Sequence, residues 1–307
     1  MKKGGVMSKK LLLCQVNSNL RWAFQEYDRN GACALEIFKK ANKLLRVIRY
    51  FWMRLNLPFI SIWLLKDWLK KIKDAETIII QMSYLTLNLP AFINKRNPNV
   101  KVIAWYWDIV RANTQPKDIK GNCELWSFDP ADCKKYGMRF NHQYHFKSMI
   151  KKSKHCKWDV FFCGSDCGRG KMLTDLHKKM IELKLNVNFK IVYPKYENIP
   201  VETVSKLLNY NEIRECNLNS KAILEMPRPG QSGATLRLME ALFLNKKVIT
   251  NNPHVKEEPF YNENNIFILG ERPIENLKEF IDSDYDHSFD EYIDKYDFNS
   301  WLRNFDN

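Results

Sequence analysis

The stretch that decides the fold is residues 223–250, which read ILEMPRPGQSGATLRLMEALFLNKKVIT. Its beginning predicts a short buried strand at residues 222–226, and two prolines and two glycines at residues 227–233 then stop regular structure. Apolar residues return at roughly helical spacing, which predicts a helix over 234–244 before a second buried strand at 247–250. This succession of strand, loop, helix and strand is typical of a parallel α/β sheet.

The loop in this stretch predicts a phosphate site. A glycine-bearing loop that leads into a helix offers unpaired backbone N–H groups and the positive end of the helix dipole. Glu240 lies about a turn and a half into the helix, where a carboxylate can accept hydrogen bonds from sugar hydroxyls but cannot bind phosphate. The stretch is therefore suited to a nucleoside diphosphate. The residues expected to bind it are Gly230, Gln231, Ser232, Gly233, Ala234, Thr235 and Glu240.

A second glycine-rich loop lies in residues 158–173, WDVFFCGSDCGRGKML. Three glycines follow a predicted strand and precede a predicted helix, and two basic residues stand where the helix begins. It is not a Walker A loop, because five residues instead of four separate Gly164 from Gly170. Met172 also stands where a Walker A loop has the Ser or Thr that binds magnesium. The loop is not GxGxxG either, and an ordinary glycine turn stays the alternative. We expect Gly164, Ser165, Arg169 and Lys171 to hold a pyrophosphate, and the two basic side chains to stabilise its charge as it departs.

Strands and helices alternate along the whole chain, which predicts an α/β fold of two Rossmann-like domains facing across a cleft. Residues 1–150 form the first domain and 151–288 the second, with a helical segment at 289–307; the boundary lies in a basic, polar run at 147–157. Because both glycine loops follow strands of the second domain, we expect them together at the carboxyl edge of its sheet. Helical patterns are also predicted over much of 32–73 and over 201–209. Further strands are predicted at 10–16, 77–82, 101–107, 124–128, 158–163, 188–193 and 265–269.

Asp108 ends a predicted strand of the first domain, and therefore also lies at a carboxyl edge. A carboxylate there could accept a proton from an acceptor hydroxyl. An Asp that caps the following turn is the alternative.

The net charge of +14 and a pI near 9.3 predict an anionic partner: nucleic acid, a phosphorylated small molecule or an acidic membrane surface. Residues 39–73 hold ten basic residues, one acidic residue and three tryptophans. A helix there would carry an apolar stripe flanked by basic side chains, and could lie on anionic lipid; the stripe consists of Leu44, Val47, Ile48, Phe51, Trp52 and Leu55. A helix packed on a sheet with its basic side chains in solvent explains the same pattern equally well.

Other features of the sequence exclude classes of protein. No apolar run reaches the length of a membrane span, and the first apolar stretch is too short for a signal peptide, so we expect a cytoplasmic protein. The eight cysteines show no paired CxxC spacing, which argues against zinc and for reduced thiols. A methyltransferase would need a glycine-rich turn after the first strand, where residues 16–19 read VNSN.

Four segments together resemble the bacterial lipopolysaccharide and capsule biosynthesis glycosyltransferases of GT-B architecture. They are residues 105–108 (WYWD), 127–137 (SFDPADCKKYG), 159–170 (DVFFCGSDCGRG) and 230–252 (GQSGATLRLMEALFLNKKVITNN). The resemblance implies a nucleotide-sugar donor held by the C-terminal domain, an acceptor held by the N-terminal one, a final helix crossing back to the first domain, and no obligatory metal.

Residues 232–241 are similar to the EGFGLxxLEA segment of retaining enzymes of this architecture. Glu240 matches the second Glu, which implies that it holds the nucleotide ribose. Ser232 stands at the first Glu, so that residue's role at the donor sugar does not transfer and the stereochemical outcome stays open.

The sequence as a whole leads us to expect a glycosyltransferase that needs no metal or cofactor. It would move a sugar from a nucleoside diphosphate to a lipopolysaccharide or capsule glycan precursor, a glycan or glycolipid acceptor, at the inner face of the cell membrane. Nucleic acid is not an expected partner, and a basic nucleic-acid-binding α/β protein without catalysis is the rival hypothesis.

Overall fold

A computed structural model describes residues 10–15, 21–151, 155–192, 202–204 and 208–306. The chain divides into two compact units, Met1–Asn141 (unit 1) and His142–Asn307 (unit 2). Each unit contains a six-stranded sheet in which all neighbouring strands run parallel. The predicted α/β class with two Rossmann-like halves is therefore confirmed.

Unit 1 contains the first of these sheets. Its strands are β1 (Lys10–Cys14), β2 (Cys33–Glu36), β3 (Thr77–Gln81), β4 (Lys101–Tyr106), β5 (Glu124–Ser127) and β6 (Arg139–Phe140), in the order β2-β1-β3-β4-β5-β6. Every residue of β3 is buried, as expected for a parallel strand covered on both faces. The helices are α1 (Arg21–Arg29), α2 (Lys43–Arg54), α3 (Lys66–Lys71), α4 (Leu89–Asn94) and α5 (Pro130–Tyr136).

Unit 2 contains the second sheet. Its strands are β7 (Trp158–Ser165), β8 (Val187–Val192), β9 (Glu202–Val204), β10 (Ser220–Glu225), β11 (Lys247–Thr250) and β12 (Ile266–Ile268), in the order β12-β11-β10-β7-β8-β9. The first strand, β7, therefore lies between β8 and β10, and the order of the strands reverses between β7 and β10. That position is the topological switch point at which open α/β sheets bind ligands. The helices are α6 (Gly170–Glu182), α7 (Tyr210–Leu218), α8 (Leu236–Phe243), α9 (Leu277–Asp282), α10 (Ile293–Tyr296) and α11 (Phe298–Arg303).

Two of the predicted helices are wrong in part. Residues 33–36, within the predicted helical region, form β2, because a short apolar segment has no clear period and its pairing with β1 decides its conformation. Residues 202–204 form β9, which pairs with β8, instead of the predicted helix over 201–209. The helix of this region, α7, begins after a capping box in which the Asn209 and Glu212 side chains bond each other's backbone N–H groups.

The basic segment at 39–73 contains α2 and α3, as expected for a helical region, and Pro58 lies in the connection between them. Asn42 caps α2 by accepting a hydrogen bond from the Leu45 amide. None of the helices formed by the residues that the structure describes is long and apolar enough to cross a membrane.

The C-terminal segment packs within unit 2 against the first residues of that unit. His145 pairs with Asp297 in an isolated parallel bridge, and the Asp297 carboxylate accepts a hydrogen bond from the Lys147 amide. The division between the units therefore lies at Asn141 and His142, before the boundary expected at residue 150. The helix expected near the end of the chain is present as α11, and its expected return to the N-terminal half stays a prediction.

Trp301 tests how much this packing contributes to stability. Its side chain is 1% exposed and contacts the rings of Tyr144, Phe298 and Phe305. Trp301→Ala leaves a cavity in this cluster, and we expect it to lower the free energy of unfolding by about 3–5 kcal/mol. Arg303→Ala, at an exposed position of the same helix, is the control and should change stability by only a few tenths of a kcal/mol. Urea denaturation measures both, and similar midpoints would contradict the prediction.

Candidate functional site

Both predicted phosphate loops lie at the carboxyl edge of the sheet of unit 2. They follow β7 and β10, which are neighbours in the sheet and run parallel. A direct hydrogen bond from the Arg169 guanidinium to the Met226 carbonyl also ties one loop to the other. The prediction that the loops come together is therefore confirmed, and they flank the topological switch point.

The loop after β7 makes a sharp turn into α6. Cys167 and Gly168 both have left-handed backbone conformations, with φ of 47° and 83°. Asp166 is buried, and its carboxylate accepts a 2.6 Å hydrogen bond from the Gly170 amide, which fixes the start of α6. The amides of Lys171 and Met172 belong to the first turn of α6, where a helix has no internal acceptors, and both side chains are exposed. The helix thus offers a cationic N-terminus at the switch point.

Arg169 holds this loop in place. The side chain is 7% exposed and donates to the carbonyls of Ser165 (2.6 Å) and Asp166 (3.2 Å) as well as Met226. Burial lowers the pKa of Arg169, and the neighbouring charge of Arg237 lowers it further. These contacts are those of a positioning residue. The expected direct contact of Arg169 with a departing diphosphate stays a prediction.

A second guanidinium, that of Arg237, reaches the same place from α8. It donates to the Cys163 carbonyl. The guanidinium carbon of Arg237 lies 5.3 Å from the centre of the Phe162 ring, and the guanidinium carbon of Arg169 lies 5.8 Å from the same ring centre. A Cβ atom on Gly164 would lie 2.9 Å from an Arg237 nitrogen and 3.6 Å from an Arg169 nitrogen. A side chain at position 164 would therefore crowd both guanidinium groups. Among the residues that the structure describes, no carboxylate forms an ion pair with either guanidinium, so the two cations concentrate positive charge beside the loop.

The loop after β10 is organised by Glu225, which the sequence analysis missed. The Glu225 side chain is fully buried and accepts hydrogen bonds from the Thr235 hydroxyl (2.6 Å) and the Thr250 hydroxyl (2.7 Å). It also accepts a 3.4 Å hydrogen bond from the Thr235 amide. This amide was expected to donate to phosphate, and it already has an acceptor. Thr235 in turn caps α8 at the Leu238 amide. The available signal was an acidic residue at the end of an otherwise apolar strand, Ala222 to Leu224.

The remaining residues of this loop range from exposed to buried. Gly230 is exposed in a left-handed conformation with φ of 84°, and the turn closes with a hydrogen bond from the Gln231 amide to the Arg228 carbonyl. Ser232 is half-buried, and its carbonyl accepts a 3.0 Å hydrogen bond from the Asn252 side chain. Gly233 and Ala234 are buried. Their predicted roles in phosphate binding stay predictions.

Glu240 lies on the inner side of α8 and is only 4% exposed. Its carboxylate accepts a 3.1 Å hydrogen bond from the Asn217 side chain of α7. Burial raises the pKa of Glu240 to about 7, and the Arg237 charge, Tyr210 and Asn217 limit the rise. A substitution by alanine would leave the Asn217 amide without this acceptor, so glutamine is the cleaner test. Its ribose-binding role stays a prediction.

Asp108 belongs to unit 1, just after β4. One carboxylate oxygen accepts a 3.0 Å hydrogen bond from the Ile109 amide, and the other pairs with Arg111 at 2.7 Å. This is the turn-capping alternative, with an added ion pair. A role for Asp108 in accepting a proton stays a prediction.

The structure also bears on metal binding and on the cysteines. Across the described residues, no group of three or more His, Cys, Asp or Glu side chains is placed to hold a metal ion. None of the eight cysteines, which all lie in the described ranges, forms a disulfide bond.

The raised pKa of Glu240 predicts a pH dependence of stability. Between pH 4.5 and about 7 the folded protein keeps a proton that the unfolded chain has released, so this group stabilises the fold most at low pH and less as pH rises to 7. The free energy of unfolding of the wild type should therefore fall by up to about 3 kcal/mol across that range, relative to that of Glu240→Gln, whose amide does not titrate. Thermal unfolding at a series of pH values measures both.

The exposed Glu215 on α7 provides the matched control for this measurement. Glu215→Gln should keep the wild-type dependence on pH. Parallel profiles for the wild type and Glu240→Gln would show that Glu240 titrates normally.

Comparisons with known proteins find similarity at the level of the fold. The chain matches no protein-family model and no curated protein sequence. AviGT4, a glycosyltransferase involved in avilamycin A biosynthesis, superposes with a TM-score of 0.61 at 10% identity, covering 97% of this chain and 96% of that one. Anabaena HepE, in complex with UDP and glucose, gives a TM-score of 0.60 at 9% identity, covering 97% and 98% of the two chains. The DNA-modifying enzyme β-glucosyltransferase, solved with and without uridine diphosphoglucose, gives 0.53 at 14% identity, covering 96% and 94%. The chain therefore has the two-domain α/β GT-B fold.

Proposed function

We propose that this protein is a nucleotide-sugar-dependent glycosyltransferase. The observation that carries the proposal is the meeting of two loops, two guanidinium groups and a helix N-terminus at the switch point of the sheet in unit 2. Such a place suits an anion with several charges, and a nucleoside diphosphate is the leaving group of this class of reaction. Structures of the same fold with UDP or UDP-glucose bound support the choice of donor.

The physical role of the site is to stabilise the departing diphosphate. Negative charge grows on the phosphate oxygens as the glycosidic bond to the donor breaks, and fixed donors aimed at that charge lower the barrier. The Lys171 ammonium, the first-turn amides of α6 and the Arg237 guanidinium supply such donors. They would act in place of a metal ion, so we propose that transfer needs neither a metal nor a cofactor.

Two further residues have proposed roles on the substrates. Glu240 would accept hydrogen bonds from the ribose hydroxyls, which requires its ionised form. Because its pKa is about 7, donor binding should draw the group toward ionisation and release protons near neutral pH. Asp108 would take the proton of the acceptor hydroxyl once its pairing with Arg111 loosens.

We propose a lipopolysaccharide or capsule glycan precursor as the acceptor, and a cytoplasmic site of action at the inner face of the cell membrane. The four segments that resemble enzymes of those pathways support this assignment. Incubation with a nucleotide sugar and extracted glycolipids, followed by mass spectrometry of the lipids, tests it.

A basic nucleic-acid-binding protein without catalysis is the rival that the net charge of +14 supports. Salt-sensitive gel shifts with generic DNA or RNA, and no turnover of nucleotide sugars, would favour the rival. Duplex DNA should also be tried as the acceptor, because the DNA-modifying β-glucosyltransferase shares the fold.

Removal of single cations tests the donor site. A thermal-shift panel of nucleoside diphosphates and their sugars first identifies the ligand, since a ligand at about 100 times its dissociation constant stabilises the fold by roughly 2.7 kcal/mol. Lys171→Gln and Arg237→Gln should then each weaken its binding by roughly 10- to 100-fold, the value of a charge-assisted hydrogen bond. Lys178→Gln, at an exposed position of α6, is the control. Unchanged affinity in both test variants would refute the proposed site.

Gly164→Ala tests the space that the two guanidinium groups share. The added methyl group would lie 2.9 Å from the end of the Arg237 side chain, which would have to leave its position on the Cys163 carbonyl, and 3.1 Å from the Phe162 ring, which would have to shift by a few tenths of an ångström. We therefore expect weaker donor binding, measured by calorimetry, with a melting temperature within a few degrees of the wild type. Gly168→Ala is a useful contrast: nothing crowds its Cβ, but φ is 83°, so it should lose stability through backbone strain.

A further inference from the structure

One face of α2 is apolar and exposed. Its exposed side chains, together with two from the residues that follow it, form what we call the α2 surface: Leu44, Val47, Ile48, Phe51, Leu55 and Phe59. Leu44 is 68% exposed, Leu55 is 65% exposed and Phe59 is 77% exposed. An ordinary surface helix turns such residues toward the core and its charged residues toward water. Here the large apolar side chains face outward.

The orientation of α2 is fixed from its inner side. Met53 is 2% exposed and belongs to the core of unit 1. Arg49 is buried, donates a 3.0 Å hydrogen bond to the Lys39 carbonyl and lies 4.7 Å from the centre of the Phe38 ring. The Asn88 side chain holds the far end of the helix at the Met53 carbonyl, at 2.6 Å. Rotation of α2 to bury its apolar face would break all of these contacts.

The loop after α2 extends the same surface. Phe59 has a left-handed backbone conformation with φ of 59°, which is uncommon for a bulky residue and costs conformational energy. The Trp52 indole donates a 2.9 Å hydrogen bond to the Pro58 carbonyl and packs against Trp63, so the loop is held in this shape. A strained residue that presents a phenyl ring to solvent indicates a binding role.

The charges around the α2 surface are basic. Lys40, Lys43, Arg46 and Arg54 are all exposed, and within the described part of the chain no acidic side chain pairs with them. Residues 39–73 hold a single acidic residue against ten basic ones. A second copy of the chain would bring two such basic rims together, which is unfavourable. A surface with anionic headgroups over an apolar interior matches both the charge and the apolar side chains.

We propose that the α2 surface docks on an anionic lipid bilayer. The apolar side chains enter the boundary between headgroups and acyl chains, and the flanking lysines and arginines contact lipid phosphates. The 12-residue helix lies in the plane of the interface. This inference does not depend on the proposed sugar transfer, because vesicle binding can be measured without any substrate.

Vesicle sedimentation tests the proposal. The full chain should bind vesicles of phosphatidylcholine with about 30% phosphatidylglycerol, and bind pure phosphatidylcholine vesicles much more weakly. The triple variant Phe51→Ser, Leu55→Ser, Phe59→Ser should lower the partition coefficient on the anionic vesicles by roughly tenfold or more. The triple variant Lys40→Gln, Lys43→Gln, Arg46→Gln should lower it on anionic vesicles only.

The controls alter exposed residues of the same chemical kinds elsewhere. Two triple variants should bind vesicles as the wild type does. One is Phe140→Ser, Ile150→Ser, Ile181→Ser, and the other is Lys178→Gln, Lys179→Gln, Lys184→Gln. Circular dichroism confirms that every variant is folded.

Three outcomes would overturn the proposal. The first is that the wild type does not bind anionic vesicles. The second is that the variant with Ser at positions 51, 55 and 59 binds them as the wild type does. The third is that the only change in this variant is the loss of a dimer. The last would identify the α2 surface as an interface between two copies of the chain.

Discussion

Two guanidinium groups share a small space beside Gly164, and the arrangement of the candidate site depends on how they are held. Each is oriented by carbonyl oxygens at the end of a strand, which fix its direction without supplying a negative charge. Like charges this close repel each other, and burial increases the cost. The arrangement is tolerable because carbonyl dipoles and the face of the Phe162 ring partly compensate, and a bound anion would relieve the remaining repulsion.

Two buried carboxylates beside these guanidinium groups hold the loops and do not pair with the cations. Asp166 and Glu225 are buried beside the two loops, and each uses its oxygens to hold a backbone amide or a threonine hydroxyl. They act on the shape of the loops and leave the cations unneutralised. A site for a multiply charged anion needs this separation, because a carboxylate that paired with Arg237 would compete with the ligand.

The sequence was sufficient to predict features that depend on local pattern. Buried strands such as β3 and the loop after β10 could be predicted because apolar runs, prolines and glycines mark them. The topology predicted that the two loops would meet, but the individual side-chain contacts between distant residues could not be predicted. Arg169 was expected to contact a diphosphate, and nothing in the sequence indicated that it also bonds carbonyls of its own loop and of Met226, 57 residues away. Glu225 was missed because its role depends on Thr250, which only the pairing of β10 with β11 brings near. The amphipathic pattern of α2 was visible, whereas the face that is buried depends on Arg49 and its partners.

The pairing of His145 with Asp297 also has a consequence for synthesis of the chain. The Asp297 carboxylate holds the Lys147 amide across a separation of 150 residues, and both segments belong to unit 2. A chain emerging from the ribosome can complete the sheet of unit 1 early, because every strand of that sheet precedes residue 141. Unit 2 must wait for residues near 300 to emerge, and until then Tyr144 and Phe146 lack their contacts with Phe298 and Trp301. This interval is when nascent chains are most exposed to chaperones and to aggregation.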